Sequence, residues 1–298
     1  MAETIILGTI ETGDITIASQ QDQGRVRARQ EDSCLVERIL GQPVALLLVA
    51  DGMGGQRGGD IASRAAVVAA VAEMRPWLSK LQPVPTLRLP EEDEAAGADA
   101  SQPFDAVSAL ADSVDQSNGG ELMPVLEQTV QVAHAAVRNA AAAIDALDDA
   151  GCTFILAVLV GRTLYLAHVG DSRAYLWRQA QLRQLTHDHS GAAALVAAGV
   201  LAADEARAHP AAHQLYRYLG GTTAAAKADL SEHRLEAGDT LLLCSDGLWD
   251  MLPDVEIARH LLAHGDLPDL AAVLIDAANR AGGEDNISVV LAHIGAVA

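Results

Sequence analysis

The feature that most constrains this chain is the apolar run Val44–Ala50, which ends directly on Asp51-Gly52-Met53-Gly54-Gly55. A run this short, with no polar alternation, reads as a strand buried on both faces. A carboxylate that follows such a strand projects at the sheet edge, and the glycines let backbone groups approach a ligand closely. The same arrangement recurs. Ser245-Asp246-Gly247-Leu248-Trp249-Asp250 follows the apolar strand Thr240–Cys244. Gly170-Asp171-Ser172-Arg173 separates the apolar segments 163–169 and 174–178, and Glu284-Asp285-Asn286 leads into the apolar run 287–294. Any one of these is explained by a turn, since Asp, Asn and Gly favour turns. Together they offer oxygen ligands from a rigid frame, the set that hard cations such as Mg²⁺ and Mn²⁺ prefer. A fifth element, Gly24-Arg25-Val26-Arg27-Ala28-Arg29-Gln30-Glu31-Asp32, sets arginines beside two adjacent acids. Alone it reads as a charged hairpin, but arginine also grips phosphate in a two-pronged fork.

Composition narrows the function classes. The 298 residues carry 40 acidic and 20 basic side chains, a net charge of −20, which repels nucleic acid and anionic membrane surfaces. Cys34, Cys152 and Cys244 are far apart and form no CxxC, so neither a disulfide framework nor a zinc site is expected. No apolar run reaches membrane-spanning length, and the N-terminus lacks the basic start of a signal peptide. A soluble, cytoplasmic protein is the expectation.

Helices are expected over 61–75, stopped by Pro76, and over 121–147, 255–263 and 267–278, with a helical turn over 191–208 that Gly199 ends. The stretch 91–120 is acidic and rich in small residues. With the proline-containing 82–90 it reads as a mobile surface insertion at 82–120 within a single domain spanning 1–298. Strands and helices come in blocks without regular alternation, which favours sheets packed on each other with helices outside. His134, His209, His213, His233, His260 and His264 are scattered and read as surface or helix positions.

The order of motifs is Arg27…Glu31-Asp32, Asp51-Gly52-Met53-Gly54-Gly55, Gly170-Asp171-Ser172-Arg173, Leu185-Thr186-His187-Asp188-His189-Ser190, Ser245-Asp246-Gly247-Leu248-Trp249-Asp250 and Glu284-Asp285-Asn286. This closely resembles the metal-dependent protein phosphatases, the type-2C serine/threonine family, in a compact bacterial form. The resemblance spans about 16–294, the acidic insertion excepted. It implies an α+β fold: a central β-sandwich of two antiparallel sheets flanked by helices. It also implies two core Mn²⁺ or Mg²⁺ ions and a third, weaker site. By resemblance Asp51 bridges the two core ions, Gly52 offers a carbonyl ligand, and Asp246 and Asp285 are terminal ligands of the first ion. Glu31 and Asp32 hold the second, largely through its waters. Asp171 and Asp250 belong to the third, Arg27 grips the substrate phosphate, and 191–221 forms a flap beside the site. The Thr186–Ser190 element is structural in the family, so His187 and His189 are not expected to be ligands.

The implied chemistry is hydrolysis of phosphoserine and phosphothreonine. Two cations roughly 3.5–4 Å apart activate a shared water as hydroxide, with no phosphoenzyme and no role for the cysteines. The implied partners are phosphorylated proteins, substrates of a separate serine/threonine kinase, and a monomer is expected. Three departures stand out. Gln30 replaces the usual Asn, Cys152 stands within the usual Gly-Thr-Thr, and Met53 occupies the place where many eukaryotic members carry a proton-donating histidine. Two other readings compete: a degenerate module that binds phosphoproteins without hydrolysis, and a hydrolase of small phosphate esters.

Overall fold

The computed structural model describes residues 3–7, 15–38, 44–54, 58–80, 106–144, 150–263 and 265–295, with 3–7 and 106–120 as backbone alone. In chain order the strands are β1 (Glu3–Leu7), β2 (Ile15–Asp22), β3 (Ser33–Arg38), β4 (Val44–Ala50) and the two-residue β5 (Gly52–Met53). Helices α1 (Gly59–Leu78) and α2 (Ala106–Ala142) follow. Next come β6 (Gly151–Cys152), β7 (Phe154–Val160), β8 (Thr163–Val169), β9 (Arg173–Arg178), β10 (Gln181–Gln184), α3 (Gly191–Ala197), β11 (Leu219–Gly220), β12 (Asp229–Arg234) and β13 (Thr240–Cys244). The chain ends with α4 (Asp246–Trp249), α5 (Asp254–Ala263), α6 (Leu267–Ala281) and β14 (Ile287–Ile294).

Two antiparallel sheets face each other, ordered β1-β2-β14-β13-β9-β10 and β12-β8-β7-β4-β3. Both are covered by helices on their outer faces, which explains the unbroken apolar runs of the central strands. Successive side chains of a strand point to opposite faces. In β4, Ala45, Leu47 and Val49 enter the layer between the sheets, while Leu46, Leu48 and Ala50 pack under α1 and α2. In β13, Leu241 and Leu243 face the inter-sheet layer, while Leu242 and Cys244 pack under α4, α5 and α6. Three apolar layers therefore stack as helix, sheet, sheet and helix, and the expected α+β sandwich is the fold observed. A third, small sheet, β11-β6-β5, was not expected; it ties the chain after Asp51 to the end of the flap.

Several element boundaries differ from expectation. Helix α1 runs two residues past Pro76, the residue expected to stop it, and ends at Leu78. Helix α2 begins at Ala106 rather than at 121, so the later part of the expected insertion is helical; residues 81–105 lie outside the described residues. The helix also ends at Ala142 rather than 147. Strands β3 and β12 went unread because they are sheet edges with polar, half-exposed sequences, SCLVER and DLSEHR.

Leu126 of α2 is fully buried in the layer over β4 and β7. Leu126→Ala is expected to cost about 2–5 kcal/mol in urea unfolding, the range for a buried leucine whose cavity does not collapse.

Candidate active site

The inter-sheet layer opens at one edge into a cleft of about 620 Å³. Asp51 reaches it from the end of β4. Its backbone is held on both sides by Thr153: the Asp51 N–H donates to Thr153 Oγ1 at 2.9 Å, and the Thr153 N–H donates to the Asp51 carbonyl at 2.9 Å. Thr153 Oγ1 also lies 2.7 Å from Ser172 Oγ, so one threonine joins the Asp51 and Asp171 segments. Gly52 follows in a space with no room for a side chain. A Cβ there would fall 2.2 Å from the Gly59 carbonyl oxygen and 2.4 Å from that of Glu31.

Asp246 and Asp250 come from α4 and its C-terminal cap, one turn apart, and the Asp250 N–H donates to the Asp246 carbonyl at 2.8 Å. Asp285 arrives from the loop after α6. The Arg27 loop lies across it, where Gly24 has φ +79° and a Cβ would strike the Asp285 carbonyl oxygen. Arg25 and Val26 donate their N–H groups to the Gly283 carbonyl at 2.6 and 3.2 Å. Arg27 Nη2 then meets Asp285 Oδ2 at 2.5 Å, and among the described residues Arg27 is the sole lysine or arginine lining the cleft.

Asn286 fastens this corner. Its Nδ2 donates to the Gln23 and Arg29 carbonyls, each at 2.8 Å, and its Oδ1 accepts from the Glu31 N–H at 2.7 Å. Gln30 spans the same turn: Oε1 accepts from the Asp32 N–H at 3.1 Å and Nε2 donates to the Asp22 carbonyl at 3.2 Å. The longer amide is thus accommodated. Asp32 sits behind the cleft wall rather than in it. Its Oδ2 accepts from Ser245 Oγ and Ser288 Oγ, both at 2.7 Å, while its Oδ1 is buried without a hydrogen-bond partner. The structure therefore brings Arg27, Glu31, Asp51, Gly52, Asp171, Asp246, Asp250 and Asp285 into one lining, with Asp32 one layer deeper.

The electrostatics match that crowding. Burial, and then repulsion from neighbouring aspartates, pushes the Asp51 and Asp171 carboxyls well above the usual range. Burial also lifts Asp246 to about 6, with Asp285 adding to the shift, and lifts Asp32 to about 7 against the pull of its two serines. Burial raises Glu31 as well, with Arg27 opposing. Oxygen-rich donors, two orphaned buried carboxylate oxygens on Asp32 and Asp246, and a charge excess that one arginine cannot offset all fit divalent cations.

Two of the sequence motifs prove to be struts. Arg173 forks onto Asp188 at 3.1 and 2.7 Å and lies 3.7 Å over the Trp249 ring. Trp249 Nε1 in turn donates to the Asp171 carbonyl at 3.0 Å. His189 accepts from the Gly170 N–H at 3.0 Å and stacks on His168, so the Thr186–Ser190 element supports the Asp171 turn from behind. Two of the scattered histidines, one on a helix and one on the surface as expected, also make contacts that bear on the site. His134 is buried in α2 and accepts from the Gly220 N–H at 3.1 Å. His213 is half exposed and hangs into the cleft, 3.8 Å from both Asp246 and Asp250. Sequence spacing gave no signal for His213, because the segment that carries it reaches the site from a distant part of the chain. Thr153 was also missed; its place beside Asp51 follows from the β4–β7 pairing.

A rigid two-sheet frame that presents clustered carboxylates and one arginine at its edge defines a metal-dependent phosphohydrolase. Residues 23–292 match the family model described as Protein phosphatase 2C. The chain is 34% identical over 271 residues to the serine/threonine phosphatase stp of Listeria monocytogenes, covering 91% of this chain and 92% of that one. Among solved structures, the serine/threonine phosphatase PstP/Ppp of Mycobacterium tuberculosis matches with a TM-score of 0.73 at 30% identity, over 95% of this chain and 99% of that one. The catalytic domain of PstP in complex with 2 manganese ions matches with a TM-score of 0.70 at 30% identity, over the same shares. The chain belongs to the protein phosphatase 2C family, whose members are metal-dependent protein phosphatases.

Two predictions arise from this geometry. Asn286→Ala strands the Glu31 N–H and two carbonyls, and is expected to cost about 3 kcal/mol in urea unfolding. The second concerns pH. Without a cation, the folded chain keeps protons on Asp246 and Asp32 between the ordinary 3.8 and about 6 or about 7, where the unfolded chain has released them. Stability without a cation therefore falls as pH rises through that window, and cation binding, which displaces the protons, is favoured as pH rises. The gain in Tm from saturating Mn²⁺ over EDTA is expected to be larger at about pH 7.5 than at about pH 5.

Proposed function

We propose that this chain is a serine/threonine phosphoprotein phosphatase that hydrolyses phosphate monoesters with divalent cations held by the cleft carboxylates. The observation that carries the reading is the convergence of Asp51, Asp246 and Asp285 on one cleft with Arg27 at its mouth. In this reading Asp51, the Gly52 carbonyl, Asp246 and Asp285 hold the core ions. Glu31 and Asp32 would help hold the second of them, and Asp171 and Asp250 would serve a weaker third site. Bound there, Mn²⁺ or Mg²⁺ supplies Lewis acidity, activating water and neutralising phosphate charge.

The chain's own groups do the rest. Arg27 is half exposed and bonded to Asp285, so an incoming phosphate competes with that carboxylate for the guanidinium and is fixed at the cleft mouth. Asp32, held by Ser245 and Ser288, is placed to accept from water inside the wall through its free Oδ1. Met53 lines the cleft without a proton to give. Cys152 and Cys244 are buried in strands, and burial pushes their thiols far up, so neither is a nucleophile.

The substrates proposed are phosphoserine and phosphothreonine proteins made by a separate kinase chain. No described helix is long and apolar enough to cross a membrane, and we take the site of action to be the cytoplasm and the working form a monomer. The chain acts in this reading as one phosphatase domain over 1–298, with 82–120 an insertion and 191–221 a flap.

The test is phosphate release from a phosphothreonine peptide with Mn²⁺, Mg²⁺ or EDTA. Metal-dependent release is expected, with Asp246→Asn reducing kcat at least about a hundredfold while the fold survives. Retention of the peptide without release, from folded metal-loaded protein, would favour a phosphoprotein-binding module instead.

A further inference from the structure

The flap places one imidazole inside the carboxylate cleft. His213 stands between two acids, with Nδ1 3.8 Å from Asp246 Oδ2 and Nε2 3.8 Å from Asp250 Oδ2. Both separations exceed hydrogen-bond length, so neither acid holds the ring directly. The backbone holds it instead. The carbonyls on either side, those of Ala211 and Gln214, accept from the N–H groups of Ala192 and Gly191 at 3.0 and 2.9 Å, tying the turn to the start of α3. Arg207 fastens the same flap to α4 through the Trp249 carbonyl at 2.5 Å.

One nitrogen of His213 and one carboxylate oxygen each from Asp171 and Asp246 lie within 4.8 Å of one another. Ligand atoms around one six-coordinate ion with bonds of about 2.1 Å stand roughly 3–4.2 Å apart. A closure of the His213 turn by less than about 1 Å therefore brings the three to bonding distance. A second observation concerns the same carboxylate: Asp246 Oδ1 is buried with no hydrogen-bond partner. Among the described residues no other histidine lines the cleft.

We propose that His213 is a nitrogen ligand, supplied by the flap, to a divalent cation held by Asp171 and Asp246. The inference rests on the reading that the cleft binds divalent cations. Its consequence is twofold. A bond from the flap to the ion clamps the flap over the substrate side of the cleft. An imidazole in the set also favours Mn²⁺ over Mg²⁺ at this position, because Mg²⁺ takes oxygen and retains its waters.

The experiment is pulsed EPR on the full chain loaded with Mn²⁺, read for nitrogen-14 coupling, beside equilibrium dialysis for bound Mn²⁺. The expected result is nitrogen coupling in the native protein and its loss in His213→Ala, with Mn²⁺ still retained at the core. The side chain is 55% exposed, so the substitution leaves the core packing untouched, which far-UV circular dichroism checks. Bound Mn²⁺ with no nitrogen coupling, or coupling that persists in His213→Ala, overturns the His213 assignment and leaves the phosphatase reading standing. No retained Mn²⁺ in the native chain overturns both.

Discussion

The whole edge of the sandwich is organised by repulsion between carboxylates that the fold forces together. Asp51, Asp171 and Asp246 are buried beside one another with Asp285 close by, and their raised proton affinities are the energetic record of that confinement. Isolated buried charges are costly, and several of one sign more so. The frame tolerates them because three apolar layers fix the strands that carry them. The carboxylates cannot relax apart without unpairing β4 from β7 or β13 from β14. Cation binding is thus built in as the relief of a stress that packing maintains.

Neutral hydrogen-bonding residues, rather than counter-charges, keep this stress in place. Thr153 joins the Asp51 and Asp171 segments, Ser245 and Ser288 hold Asp32, and Asn286 laces the Arg27 loop to Glu31. Had arginines done this work, they would have neutralised the cluster and removed its affinity for cations. The arginine beside the Asp171 turn is diverted: Arg173 forks onto Asp188 and covers the face of Trp249. Among the described residues, Arg27 is the one arginine or lysine left lining the cleft, where it is bonded to Asp285.

Much of this was legible in the sequence because the site is built from strand ends. Val44–Ala50, Thr240–Cys244 and Ile287–Ile294 announce themselves by unbroken apolarity, and the aspartates next to them are then placed by register alone. What stayed hidden depends on tertiary contact. Edge strands β3 and β12 carry polar side chains and gain their structure from a neighbour, not from their own pattern. Pro76 misled by only two residues, since α1 ends at Leu78 just beyond it. His134 and His213 look alike as isolated histidines, yet one anchors Gly220 under the flap and the other enters the cleft.

The flap itself is less free than a surface excursion of its length suggests. Ser190 bridges to Leu215 at its base, and Leu219–Gly220 pairs with Gly151–Cys152 at its exit. His134 bonds the Gly220 N–H from α2, and Gln131 bonds Ala226 in both directions just beyond. Arg217 and His189 share Asp229 on the neighbouring edge strand. Motion that leaves these bonds intact is confined to the segment between α3 and Leu215, where Val200 is exposed and where His213 hangs. Contact between this segment and α4 runs through Arg207, the Trp249 carbonyl and Asp250, so a shift of the flap is felt first at the acids of α4 rather than at Asp51. The carboxylates at the strand ends stay fixed by the sheets, while those of α4 share their position with the segment that carries Arg207 and His213.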